Sequence, residues 1–235
     1  MRYLSAIGLL AILAAFAAAC GGSTEPVDTA TPTPAPAEND VSAEATPTAP
    51  AEEPQERVAG EVEGIVFLVG EGSEATFTVE EQLARLTVPN DAVMRTNVLS
   101  GEVRLDGGTF AVEIDLSTLS SDQGFRDRYV RTRMFGSHPT AVFAVADAGD
   151  IPAGFGDGET VTTSVMGTLT LLGKEFPLSF EIEARDDGHT VFVLGRTQFT
   201  WEELEVPVPQ VQSVVWIADE VRVEVLLALE PSGDR

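Results

Sequence analysis

One cysteine, Cys20, and two histidines, His138 and His189, are the only Cys and His side chains in this sequence. A lone cysteine forms no intrachain disulfide and no cysteine-based zinc cluster, and two isolated histidines make no His-rich metal site. Positive charge is scarce too. Fourteen Lys and Arg face 38 Asp and Glu, a formal net charge of −24. Such a chain lacks the basic surface that neutralises a row of phosphates, which excludes a general nucleic-acid binder. Two Trp and two Tyr accompany twelve Phe, so most of the large rings have no polar handle. Fourteen Pro and 21 Gly exclude a helical bundle throughout. An acidic, β-rich domain remains, with something else at its ends.

The N-terminus reads as an address. Arg2 supplies a short positive region, and Leu4 to Phe16 is apolar apart from breaks such as Ser5 and Gly8. That run is short for a bilayer core of roughly 30 Å and suits the apolar part of a signal peptide. It ends in Ala17-Ala18-Ala19-Cys20. Small residues before a lone cysteine resemble the lipobox of bacterial lipoproteins, although Ala17 stands where Leu is more usual. The resemblance implies removal of residues 1–19, acylation of Cys20, and an extracytoplasmic protein anchored to the bacterial cell-envelope membrane. The competing reading is an ordinary secretory leader cut after Ala19, which leaves a free thiol.

A tether follows, so that residues 20–60 form an acylated cysteine plus spacer. From Gly21 to Gly60 the chain holds seven Pro, eight acids and one Arg, with no aromatic residue and no Ile, Leu or Met. Such a segment cannot bury enough apolar surface to offset the entropy of ordering it. Its Thr-Pro and Ala-Pro steps favour extended polyproline II. A plain spacer and a glycosylated stalk both fit this composition.

Residues 61–231 read as a single all-β domain. Phe110, Val112, Ile114 and Leu116 alternate with polar or small residues, as do Leu178, Phe180 and Ile182. Val161 to Leu171 and Val221 to Leu229 behave in the same way. Shorter runs lie at 62–69, 74–79, 98–105, 140–147, 190–200 and 211–217. Period two with one apolar face indicates antiparallel strands. About eight to ten of them in about 170 residues suit a closed barrel or a two-sheet sandwich. One segment breaks the pattern. Ser120 to Gly136 predicts a short helix near residues 121–135, with Ser120 and Gln123 at capping-box spacing and Phe125, Tyr129, Val130 and Met134 on one side. It carries Arg126, Arg128, Arg131 and Arg133. These either pair with the acidic body or form an anion-facing patch, with Arg126 and Arg131 as candidate headgroup contacts.

Four stretches in this order resemble the YceI-like family. They are Phe110 to Asp122, Phe125 to Phe135, Pro139 to Phe143, and Gly167 to Ile182. The resemblance implies a lipocalin-like antiparallel closed β-barrel of about eight strands that binds polyisoprenoids or related amphiphiles. The chain departs from the pattern at Leu172, where family members often have His, and at Gly136-Ser137, where an acidic turn is usual. The stretch Leu83 to Leu99 reads as a longer connection than usual.

Alternation nominates an inward set: Phe77, Phe110, Val112, Ile114, Phe143, Val145, Val165, Gly167, Leu169, Leu171, Phe180, Ile182, Phe192, Phe199, Val223 and Val225. An eight-stranded barrel is wide enough either to pack itself solid or to hold one small ligand. The same residues therefore serve a dry ligand pocket or an ordinary core, and Gly167 leaves room for a chain or marks a bend. No pairing of a nucleophile with a base is visible, no Asp-x-Asp-x-Asp-Gly loop occurs, and the glycines of 154–158 are not followed by a phosphate-binding Lys. The expectation is a non-enzymatic protein without metal or cofactor, apart from a bound isoprenoid or quinone-like lipid. Its alternative is a ligand-free envelope scaffold with a packed barrel.

Overall fold

The structure, a computed structural model, describes residues 58 and 60–233. The expected leader, the expected lipidation site Cys20 and the expected tether as far as residue 57 lie outside the described residues.

Strands form where apolar and polar residues alternate. They are β1 (Phe67–Val69), β2 (Glu74–Leu83), β3 (Asn90–Thr96), β4 (Leu99–Val103), β5 (Phe110–Asp115), β6 (Thr140–Val145), β7 (Val161–Leu171), β8 (Lys174–Asp186), β9 (Val191–Thr200) and β10 (Val214–Pro231). Every pairing is antiparallel. β1 and β2 are two halves of one strand, interrupted where Gly72 takes a φ of +93°. The interruption stays tied to β10, because the Gly70 N–H donates to the Ala228 carbonyl and the Ala228 N–H donates to Ser73 Oγ. β3 and β4 are likewise two halves of the next strand. The ten segments thus fill eight places in a closed wall, and β10 seals it by pairing with both β2 and β1. Val221 faces Val79, and Leu229 faces Val69.

The stretch Leu83 to Leu99 is not a long connection. Only 84–89 joins β2 to β3, and 90–96 is wall. Its inward residues are Ala92, Met94 and Thr96, a small residue, a flexible one and a polar one, which hides the alternation. Thr96 is buried because its hydroxyl is satisfied by Thr118 Oγ1 at 2.6 Å and accepts from the Val98 N–H.

The inserted helix, α1 (Gly124–Tyr129), is six residues long and widens into a π-helical turn over Val130–Met134. The expected capping box does not form. Instead Asp127 Oδ1 accepts from the Ser121 N–H and hydroxyl, and Ser121 Oγ accepts from the Gln123 N–H. Val130 is buried, but Phe125 is 85% exposed rather than packed with Tyr129 and Met134.

Each end of the barrel has its own buried cluster. At the helix end Leu119, Val130, Phe135, Trp201 and Leu204 pack over Val79, Met94 and Val221. At the opposite end Val62 and Phe155 pack over Phe67, Val191 and Leu229. There the carboxylate of Asp186, wholly buried, accepts from the Gly60 N–H at 2.7 Å and the Gly188 N–H at 2.9 Å. Gly60, the last residue of the expected tether, is therefore held to the wall.

Candidate functional site

Between the two clusters lies a cavity of about 180 Å³. Its wall is built by the inward faces of β2, β5, β6, β7, β8, β9 and β10, because alternate residues of a strand project to the same side. Phe143 and Phe180 meet across it edge to face, with ring centroids 4.9 Å apart at 66°. The polar side chains of the lining are engaged elsewhere. Thr76 donates to Glu74 Oε1, Thr96 pairs with Thr118, and the Trp201 indole N–H donates to the Ala218 carbonyl at 2.9 Å. What faces the space is therefore hydrocarbon.

Burial along the wall distinguishes a hollow barrel from a filled one. Phe77, Ile114, Phe143, Leu169, Ile182, Phe199, Val223 and Val225 point inward yet remain only half-buried. Inward residues toward the two ends, such as Val79, Val221, Val191 and Leu229, are sealed. A solid core is driest at its centre, because interiors pack with few voids. Here much of the middle is accessible, although Val112, Val165 and Phe180 are buried there.

The inward set nominated from the sequence lines this cavity, with three exceptions. Val145 is buried, but at the end of β6, where it contributes to a second depression on the outer wall. Gly167 offers no room. A Cβ there would stand 2.6 Å from the Ala144 carbonyl oxygen and 2.6 Å from Phe143 Cζ, so the Phe143 ring already fills that space. Phe192 points outward and is 42% exposed. The β8–β9 hairpin pairs Asp186 with Val191, which places Val191 inward and its neighbour Phe192 on the outer face.

Other lining residues were not nominated. Leu178 shares the parity of Phe180 and Ile182, and was legible on that basis. Val193 and Gly195 share the parity of Val191, which an outward Phe192 conceals. Met134, Phe135, Trp201 and Val206 come from the π-turn and from the loop after β9, where no two-residue period exists to reveal them.

The two candidate headgroup arginines are engaged within the protein. Arg126 forms an ion pair with Glu81, whose side chain is 5% exposed, and with Asp122 Oδ1 at 2.7 Å. The Arg126 hydrogen bond holds the Asp122 carboxyl below its ordinary range. The Arg131 Nε–H donates to the Leu119 carbonyl. Each is committed to closing the helix end, and burying the Glu81 charge requires such a partner. Arg128 and Arg133 are exposed, and Arg128 lies over the Phe125 ring at 5.8 Å. Among the described residues no group of three His, Cys, Asp or Glu is arranged to hold a metal.

Comparison with family models matches the YceI-like domain over residues 68–229. The chain belongs to that family. Solved structures agree on the fold of this YceI-like domain. A polyisoprenoid binding domain from Saccharophagus degradans, implicated in plant cell wall breakdown, is 18% identical with a TM-score of 0.57, covering 71% of this chain and 98% of that one. BcnA of Burkholderia cenocepacia is 20% identical with a TM-score of 0.51, covering 66% and 95%. A mutant CJ YCEI protein with a monobromobimane guest is 12% identical with a TM-score of 0.51, covering 65% and 91%. Comparison with curated proteins found no match.

Proposed function

We propose that this YceI-like domain binds one polyisoprenoid or similar amphiphilic lipid with its apolar tail inside the barrel, and that it acts by binding rather than by catalysis. The observation that carries this reading is the hollow middle: half-buried apolar side chains around an apolar space that lies between two buried clusters. The polyisoprenoid-binding description of one structural neighbour supports the ligand class. The lipobox-like Ala17-Ala18-Ala19-Cys20 supports an extracytoplasmic lipoprotein, anchored to the envelope membrane through Cys20. Two or more acyl chains give stable anchoring where one does not.

Magnitudes limit how much of a lipid the cavity holds. At roughly 30 Å³ for each water-sized group, about 180 Å³ accommodates about six such groups. At about 0.8 kcal/mol per buried methylene these contribute about 5 kcal/mol before ordering costs. Micromolar binding needs about 8 kcal/mol. The cavity is also smaller than the roughly 300–1,000 Å³ of ordinary small-molecule sites. A cavity of that size holds a short apolar segment, so a long isoprenoid needs a further surface for the rest of its chain.

The test is native mass spectrometry of the full chain, secreted by a bacterial host and purified without detergent, with organic extraction alongside. The expected result is a discrete added mass that extracts as a polyprenyl or quinone-like lipid. A bare protein that also refuses isoprenoids on reconstitution overturns the proposal in favour of the scaffold. Anchoring is tested separately by fractionation. Cys20→Ser moves the protein from membrane to soluble fractions if Cys20 is acylated, and an unchanged distribution overturns the anchor.

A further inference from the structure

The barrel wall has a seam. β7 pairs with β8 along its whole length, Val161 to Leu171, but with β6 only from Thr168 to Thr170. β6 stops at Val145, and the chain leaves the wall at Ala146. On that side β7 has no strand partner from Val161 to Gly167 among the described residues. Where the two strands part, the outer surface is indented by a groove of about 700 Å³ that crosses from β4 to β8.

The wall is indented there because its outward residues are small. Ala111 and Ala144 form its floor, with Pro177 and Met166 at its side. Met166 is 71% exposed, an adaptable apolar side chain left open to water. The charged member of the lining is Glu102, so the groove repels an anionic headgroup and suits an uncharged chain. Phe110 lines both the groove and the internal cavity. It lies opposite Val145, at the last pair of β5 with β6, where the wall begins to open. Phe110, with the buried Val145 opposite it, thus lies between the space inside the barrel and the space outside it.

We propose that the β6–β7 seam is a lateral portal, with Phe110 as its gate, and that the outer groove holds the part of an apolar chain that the cavity cannot contain. The inference rests on the lipid-binding reading above and extends it to a second subsite. A long prenyl chain then occupies the cavity with one segment and lies across Ala144 and Met166 with the next. A short prenol needs the cavity alone.

The test compares the binding of geraniol and solanesol to the full chain, read by fluorescence titration. Wild-type protein is expected to bind solanesol about tenfold or more tighter than geraniol. Ala144→Trp fills the groove and Met166→Glu places a charge in it. Both positions are exposed and point outward, and a thermal melt confirms that each variant is folded. Each variant is expected to lose the preference for solanesol and to keep geraniol binding unchanged. If Ala144→Trp fails to fold, Met166→Glu carries the same comparison. Folded variants that bind solanesol as wild type does overturn the groove and leave the cavity intact. Equal binding of both prenols by wild type also overturns the groove. A wild type that binds neither prenol overturns the lipid reading itself, and the portal with it.

Discussion

The two ends of the barrel are closed by different means. At the end away from the helix, the chain is fixed by backbone donors converging on one wholly buried carboxylate, Asp186, and by Val62 and Phe155 wedged between strands. At the helix end, a six-residue helix and its π-turn are held by side chains, with Arg126 bridging Glu81 and Asp122. Backbone groups tied to a buried charge have little freedom to reorganise. A side-chain ion pair at 15% and 5% exposure holds the helix end through two charges, each of which would be left poorly solvated without the other. One end is therefore a floor held through backbone groups and the other a cover held through side chains, and the comparison can be broken by substitution.

Asp186→Ala should have the largest effect, because it leaves the Gly60 and Gly188 N–H groups without their acceptor. The expected cost is about 3 kcal/mol, read by denaturant unfolding. Glu81→Ala should cost less, about 1–2 kcal/mol, since Arg126 retains Asp122. Equal losses at the two ends would remove the distinction between floor and cover. Between the ends, Gly195→Leu should cost about 1–3 kcal/mol of stability while weakening prenol binding about tenfold or more. A Cβ there would stand 3.1 Å from Phe180 Cδ1 on the cavity wall, a contact that a small ring shift relieves. At Gly167 the nearest obstacle includes backbone, so Gly167→Phe is expected to disturb the wall itself.

The smallest effect is electrostatic. The Thr190 and His189 N–H groups hold the Asp187 carboxyl below its ordinary value of 3.8. A depressed carboxyl stabilises the fold above its unfolded value, and that contribution is lost as pH falls through the folded one. The melting temperature of Asp187→Asn should therefore lie slightly below wild type at neutral pH and converge with it below pH 3.8. A constant offset across that range would mean that the hydrogen bonds, not the charge, matter.

The wall was readable in the sequence wherever one face is apolar and the other polar, as in Phe110 to Ile114 and Val161 to Leu171. It was unreadable at Asn90 to Thr96, where the inward residues are Ala, Met and a hydroxyl that finds its own partner in Thr118. Parity misled at Phe192, because a large ring lay on the wet face and a glycine, Gly195, on the dry one. The cover at the helix end was legible as a helix but not as a lid. Trp201 and Val206 reach the cavity from a loop, and Arg126 is placed by Glu81, forty-five residues earlier in the chain. Periodicity carries no information about such long-range partners.

The seal between the first and last strands has a further consequence during synthesis. Phe67 pairs with Pro231 and Val79 with Val221, so the first strand to leave the ribosome waits for the last. Contacts this distant in sequence are slow to form, because the intervening loop must be closed before they offset its entropy. Until then the apolar edge from Phe67 to Val79 is open to other nascent chains. A net charge of −24 repels those chains from one another. The same acidity thus protects the barrel before it closes.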